Sequence, residues 1–212
     1  MTFGLVHHDV TSDHVAFTVE ALSALPGDAD LVKLSNRAAA VLNDWENIDA
    51  EGQRLERAVV RATAHVRIAD VTLDIALGAF ANDLLEVVKG DTSSELYGRY
   101  FAEPHEDVIA MGLDSEVPEV TLIVHALDRA GDDAPASLRA HLEPLRSGLK
   151  LGNGALAARS DALADLGRHM ARVEAWHETA ESTLGSIHAR LGRLADSRGL
   201  PESWADAFFN VD

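Results

Sequence analysis

The sequence has no cysteine and few prolines or aromatic residues, and the missing cysteine excludes several classes of protein. Without cysteine there is no disulfide, no thiol nucleophile and no cysteine-ligated zinc. Only 6 prolines and 5 % aromatic residues are present among 212 residues. No apolar run approaches the roughly 18 residues of a membrane span, and the first residues lack the pattern of a secretory leader. These absences predict a cytoplasmic protein without a membrane partner.

Basic residues are scarce as well. Lys and Arg number 18 against 35 Asp and Glu, which gives a formal net charge of −17. Binding to phosphates or to an anionic lipid surface requires local positive charge, so the composition argues against a nucleic acid or a membrane as the partner. An excess of acid on this scale is compatible with a protein that masks a basic partner.

Sequence patterns of catalysis are also absent. There is no G-x-S-x-G, no phosphate-binding loop, no G-x-G-x-x-G after a strand and no H-E-x-x-H. The sequence therefore favours a non-enzymatic protein and predicts no cofactor; an enzyme without these patterns is the alternative.

What the sequence does contain is apolar residues spaced three and four apart, which is the period of an amphipathic helix. Alternating β-branched runs and Asn-Gly turns are missing. We predict an all-α fold, a helical bundle built on two long antiparallel, coiled-coil-like helices at 52–88 and 155–197 with shorter helices packed around them. The prediction is one domain over 1–212, in which 29–88 and 134–197 form a possible pseudo-repeat.

Glycines interrupt both long patterns. The polar stretch around Gly52 favours a turn there, although the apolar phase continues across it and allows one helix over 29–88. Gly148, Gly152 and Gly154 likewise predict a turn before the last long helix.

Two apolar lines run side by side along the helix predicted at 52–88. The first consists of Ala62, Ala69 and Ala76, and the second of Ala64, Ile68, Val71 and Ile75. A face this wide needs more than one neighbouring helix, so we expect both lines to be covered.

The same predicted helix carries a basic strip. It consists of Arg54, Arg57 and Arg61, with His65 and Arg67 close by. Such a strip is typical of a water-facing helix surface with ion pairs one turn apart. The alternative is a contact with an anion or with an acidic partner.

His177 is the unusual residue of the last helix, because it lies in an apolar line that runs from Leu163 to Leu194. Glu174 precedes it by three residues, which places a carboxylate and an imidazole one turn apart. Helical di-iron proteins use two such pairs with further glutamates, whereas this chain has one. A metal site at Glu174 and His177 is therefore an alternative to a buried, hydrogen-bonded histidine or to a residue that fixes an oligomeric register.

Six of the aromatic residues form two clusters. They are Tyr97, Tyr100 and Phe101, and Trp204, Phe208 and Phe209. Aromatic residues anchor many protein interfaces, so these six are candidate partner-binding residues. The competing interpretation is that each cluster docks a short helix onto the long ones.

The prediction for function is a helical interaction or scaffold protein that binds a protein partner or itself, with a homodimer favoured. The alternatives are a metal-binding or cofactor-binding bundle that uses Glu174 and His177, and an acidic protein that masks a basic partner.

Overall fold

The computed structural model describes residues 6–209, and the described chain is helical without a β-strand. The helices are α1 (Val6–Ser23), α2 (Ala29–Val87), α3 (Glu95–Gly98), α4 (His105–Ile109), α5 (Leu113–Ala130), α6 (Ala136–Arg139) and α7 (Leu142–Arg198). A short 3₁₀ turn at Gly131–Asp133 lies between α5 and α6, and two more follow α7, at Glu202–Trp204 and Asp206–Phe208. The predicted all-α fold with two long packed helices is confirmed. In the described part of the chain, no helix is apolar and long enough to cross a bilayer.

The contacts divide the chain into two compact units. The terminal unit combines the chain up to Leu55 with the chain from Asp165 onward, and the central unit is Glu56–Ala164. Both α2 and α7 contribute to each unit. The single domain and the pseudo-repeat stay predictions.

In the terminal unit, α2 and α7 run antiparallel beneath α1. The rings of Trp45 and Trp176 lie 4.4 Å apart, and the Trp176 indole N–H donates a 2.9 Å hydrogen bond to the Val41 carbonyl.

Asp28 caps the start of α2: its carboxylate accepts hydrogen bonds from the backbone N–H groups of Asp30 and Leu31, at 3.0 and 3.3 Å. Such a side-chain cap satisfies amides that have no partner inside the helix.

The central unit has its own apolar core. Phe80 of α2 lies at its centre and meets the ring of Tyr100 edge-on, with centroids 5.3 Å apart. At the start of α7, His141 and Asp83 form a 2.7 Å contact between Nε2 and Oδ2. Pro144 lies in the first turn of α7, where its missing N–H costs no helical hydrogen bond.

The predicted breaks at Gly52 and Gly152 are wrong, because both glycines lie inside unbroken helices. A β-carbon on Gly52 would lie 2.7 Å from Nε2 of His169, and one on Gly152 would lie 3.2 Å from side-chain carbons of Leu113 and Val117. These glycines make room for a neighbouring helix instead of ending their own.

Gly148 has the same role between α7 and α2. A β-carbon there would lie 2.8 Å from Leu73 Cδ1 and 3.6 Å from Leu73 Cα. Leu73 is fully buried, so its side chain has little space into which it can retreat.

We predict that Gly148→Ala destabilises the protein by about 1–3 kcal/mol, because the added methyl overpacks the contact with Leu73. Gly154→Ala is the matched control, since nothing lies within 4 Å of a β-carbon at Gly154. Alanine is the better helix former, so the control variant gains up to about 1 kcal/mol. Urea unfolding followed by circular dichroism measures both; equal effects at the two positions would contradict the packing role of Gly148.

Candidate interaction surface

His177 contacts one residue of α1 and one residue of its own helix. Its Nδ1 lies 3.1 Å from Thr11 Oγ1 on α1, and its Nε2 lies 3.2 Å from a carboxylate oxygen of Glu181. Glu174 is exposed. Among the described residues, no three His, Cys, Asp or Glu side chains are grouped so that they could hold a metal ion. A metal site at Glu174 and His177 therefore stays a prediction that has no ligand set in the described chain.

His169 and Trp176 occupy the positions that the sequence pattern gave to Met170 and His177. His169 is 5 % exposed and faces Gly52, whereas Met170 is exposed and His177 lies at the edge of the contact. The sequence analysis missed His169, although its spacing of seven from Trp176 was a usable signal.

The structure places both aromatic clusters against the core of the chain itself. Tyr97, Tyr100 and Phe101 are buried around Phe80 in the central unit. In the terminal unit, Phe208 is part of the buried core. Trp204 and Phe209 are partly buried and pack against this core. These contacts agree with short segments docked on the long helices, and a partner-binding role for the six residues stays a prediction.

An exposed apolar line lies instead on the central part of α2. Its large members, Val60, Ile68, Val71 and Ile75, are 52–69 % exposed, and exposed alanines continue the same line. We call this line the apolar stripe, which consists of Val60, Ala64, Ile68, Val71, Ile75 and Ala79. At about 100° per residue these six side chains share one helix face. The expectation that the second apolar line is covered is wrong for the described chain, because α3, α5 and α7 pack on the opposite side of α2.

The apolar stripe is bordered by unlike charges at its two ends. Arg57 and Arg61 lie at its N-terminal end, and Glu86 lies at its C-terminal end. All three side chains are exposed, and the described chain offers none of them an ion pair. The stripe thus has a basic end and an acidic end, both available to a partner.

Three carboxylates lie along one flank of the stripe. Glu116 of α5 is completely buried, and Asp70 and Asp74 of α2 are partly buried beside it. Both carboxylate oxygens of Glu116 and one buried oxygen of each aspartate have no hydrogen-bond partner in the described chain. We call these three residues the carboxylate notch.

Burial raises the pKa of Glu116 to about 8, with further contributions from the charges of Asp74 and Asp70. Burial and the neighbouring Asp70 raise the pKa of Asp74 as well. The chain by itself therefore keeps a proton in the notch at neutral pH.

Comparison with known proteins finds no protein family, no curated protein and no solved structure that matches this chain. The apolar stripe and the notch are therefore the features that indicate a function.

We predict that the free energy of unfolding falls as the pH rises from about 4.5 to about 8, because Glu116 binds a proton in the folded chain that the unfolded chain releases. Each unit of pKa difference is worth about 1.4 kcal/mol, so the loss amounts to a few kcal/mol. Glu116→Gln should remove most of this dependence. Urea unfolding at several pH values compares the variant with the parent, and parallel curves would contradict the buried proton.

Proposed function

We propose that this protein is a non-enzymatic helical interaction protein that self-associates as a homodimer through the apolar stripe. The observation that carries the proposal is the continuous exposure of four large aliphatic side chains on one face of α2. Single exposed apolar residues are ordinary on a protein surface, whereas a contiguous patch marks an interaction site.

The length and pattern of the stripe support a helix as its occupant. From Val60 to Ala79 it extends about 29 Å along α2 at 1.5 Å per residue. Its spacings of three and four match the contact line of paired helices. Burial of a large aliphatic side chain stabilises an interface by about 1.5–3 kcal/mol, and each copy offers four.

The charges at the two ends support a second copy of the chain as the partner. A surface that is basic at one end and acidic at the other is complementary to itself when it is turned around. A general basic partner would place its charges against Arg57 and Arg61 as well, which is unfavourable. The cytoplasm is the setting that we propose for this association, since the chain has no cysteine that an oxidising compartment could use.

The two alternatives from the sequence, a metal site at Glu174 and His177 and the masking of a basic partner, gain no specific support from the described residues.

We predict that Ile68→Glu weakens the dimer tenfold or more, because a charge must then lose its water inside the contact. Leu122→Glu is the matched control: Leu122 is 60 % exposed in the same unit but lies on α5, outside the stripe. Both variants should keep the helix content of the parent. Sedimentation velocity over about a hundredfold range of concentration gives the dissociation constants.

A parent protein that sediments as a 22.7 kDa monomer over the whole range would overturn the proposal. Equal weakening by Ile68→Glu and Leu122→Glu would show that a different surface pairs.

A further inference from the structure

The proposed homodimer brings a cation to the carboxylate notch. We propose that the two copies pair antiparallel through their apolar stripes and that Arg67 of each copy enters the carboxylate notch of the other. This inference rests on the proposed self-association and adds its orientation, its register and a second contact.

The charges at the ends of the stripe select the antiparallel orientation. A parallel pair would place Arg57 against Arg57 and Glu86 against Glu86, and like charges that face each other repel. An antiparallel pair places Arg57 of one copy beside Glu86 of the second copy, and it forms this ion pair twice. Both side chains are exposed and have no ion pair within the described chain.

The same ion pairs define the register. Arg57 lies opposite Glu86 when the two-fold axis passes between Val71 and Thr72. With this axis, Ile68 of one copy packs on Ile75 of the second copy, and the two Val71 side chains meet at the centre. The exposed aliphatic side chains of the middle of the stripe are then covered.

The notch lies along a single flank of the stripe, and in a two-fold antiparallel pair this flank faces the same flank of the second copy. Arg67 is exposed on that flank and has no ion pair within the described chain. In the register above, Arg67 lies opposite the helix turn that contains Asp74. Asp70 and Asp74 are only partly buried, so a guanidinium with up to five N–H donors can pair with their negative charge from the solvent side of the notch.

Cysteine cross-linking tests the orientation, because the natural chain has no cysteine that could interfere. In the proposed register, cysteines at Val71 of the two copies lie within the roughly 7 Å that a disulfide requires. Cysteines at Val60 lie about 35 Å from each other along the helix axis. We expect oxidised Val71→Cys to form a covalent dimer and Val60→Cys to remain a single chain on a non-reducing gel.

A double-mutant cycle tests the notch contact. Arg67→Glu should raise the dimer dissociation constant roughly tenfold in the natural background, since it places a third negative group against the notch twice per dimer. In the Asp74→Asn background the same substitution should have a clearly smaller effect. Asp74→Asn keeps the shape of the side chain and removes a partly buried charge, so the variant should fold.

The outcomes separate the two proposals. A parent protein that is monomeric at all concentrations overturns the self-association itself. A parent dimer that Ile68→Glu disrupts, while Val60→Cys cross-links as well as Val71→Cys, keeps the stripe and overturns the antiparallel orientation. Equal effects of Arg67→Glu in both backgrounds overturn the contact between Arg67 and the notch.

Discussion

The close approach of α7 to α2 is the contact on which the other features of the structure depend. In the terminal unit Gly52 admits the buried ring of His169, and in the central unit Gly148 admits Leu73. A missing β-carbon lets two backbones come together at a fixed place, so the antiparallel register of the pair is determined there. Leu73 faces α7 and the core, so the opposite side of α2, which carries the apolar stripe, faces outward.

The fold class was predictable from the sequence, whereas the two breaks were not. Spacing by three and four identified long helices because it reflects which face is buried. Glycine in a sequence indicates a helix break, since its cost in a helix interior is about 1 kcal/mol. That cost is small beside the packing gained at Gly148 and Gly152, where a neighbouring side chain fills the space. Only the three-dimensional contact separates a glycine that ends a helix from one that admits a neighbour.

The buried positions of α7 and the notch were harder to predict, because they depend on the rotation of long helices and on how they pack. A strict seven-residue repeat drifts by about 20° per heptad against a straight helix. A seven-residue repeat that starts from the buried Leu191 and Leu194 predicts that His177 and Met170, nearer the N-terminal end of α7, are buried. In the structure the buried residues there are Trp176 and His169, each one position earlier. The burial of Glu116 could not be predicted from the sequence, since an acidic residue beside Val117 on a short amphipathic helix is ordinarily exposed. Its burial follows from the packing of α5 against α2, which no local pattern reports.

The central part of α2 carries a buried face and an exposed apolar face on one unbroken helix, and this sets a rule for how its length can change. Removal of one residue near Val66 would turn everything after it by about 100°. After the deletion, the side chains that now fill the core would no longer face it, and those of the stripe would no longer form one line. Changes of seven residues, close to two whole turns, preserve both faces. In natural variants of this chain we therefore expect the length of α2 to differ by about two turns at a time. Other differences in length should lie in connections such as 88–94.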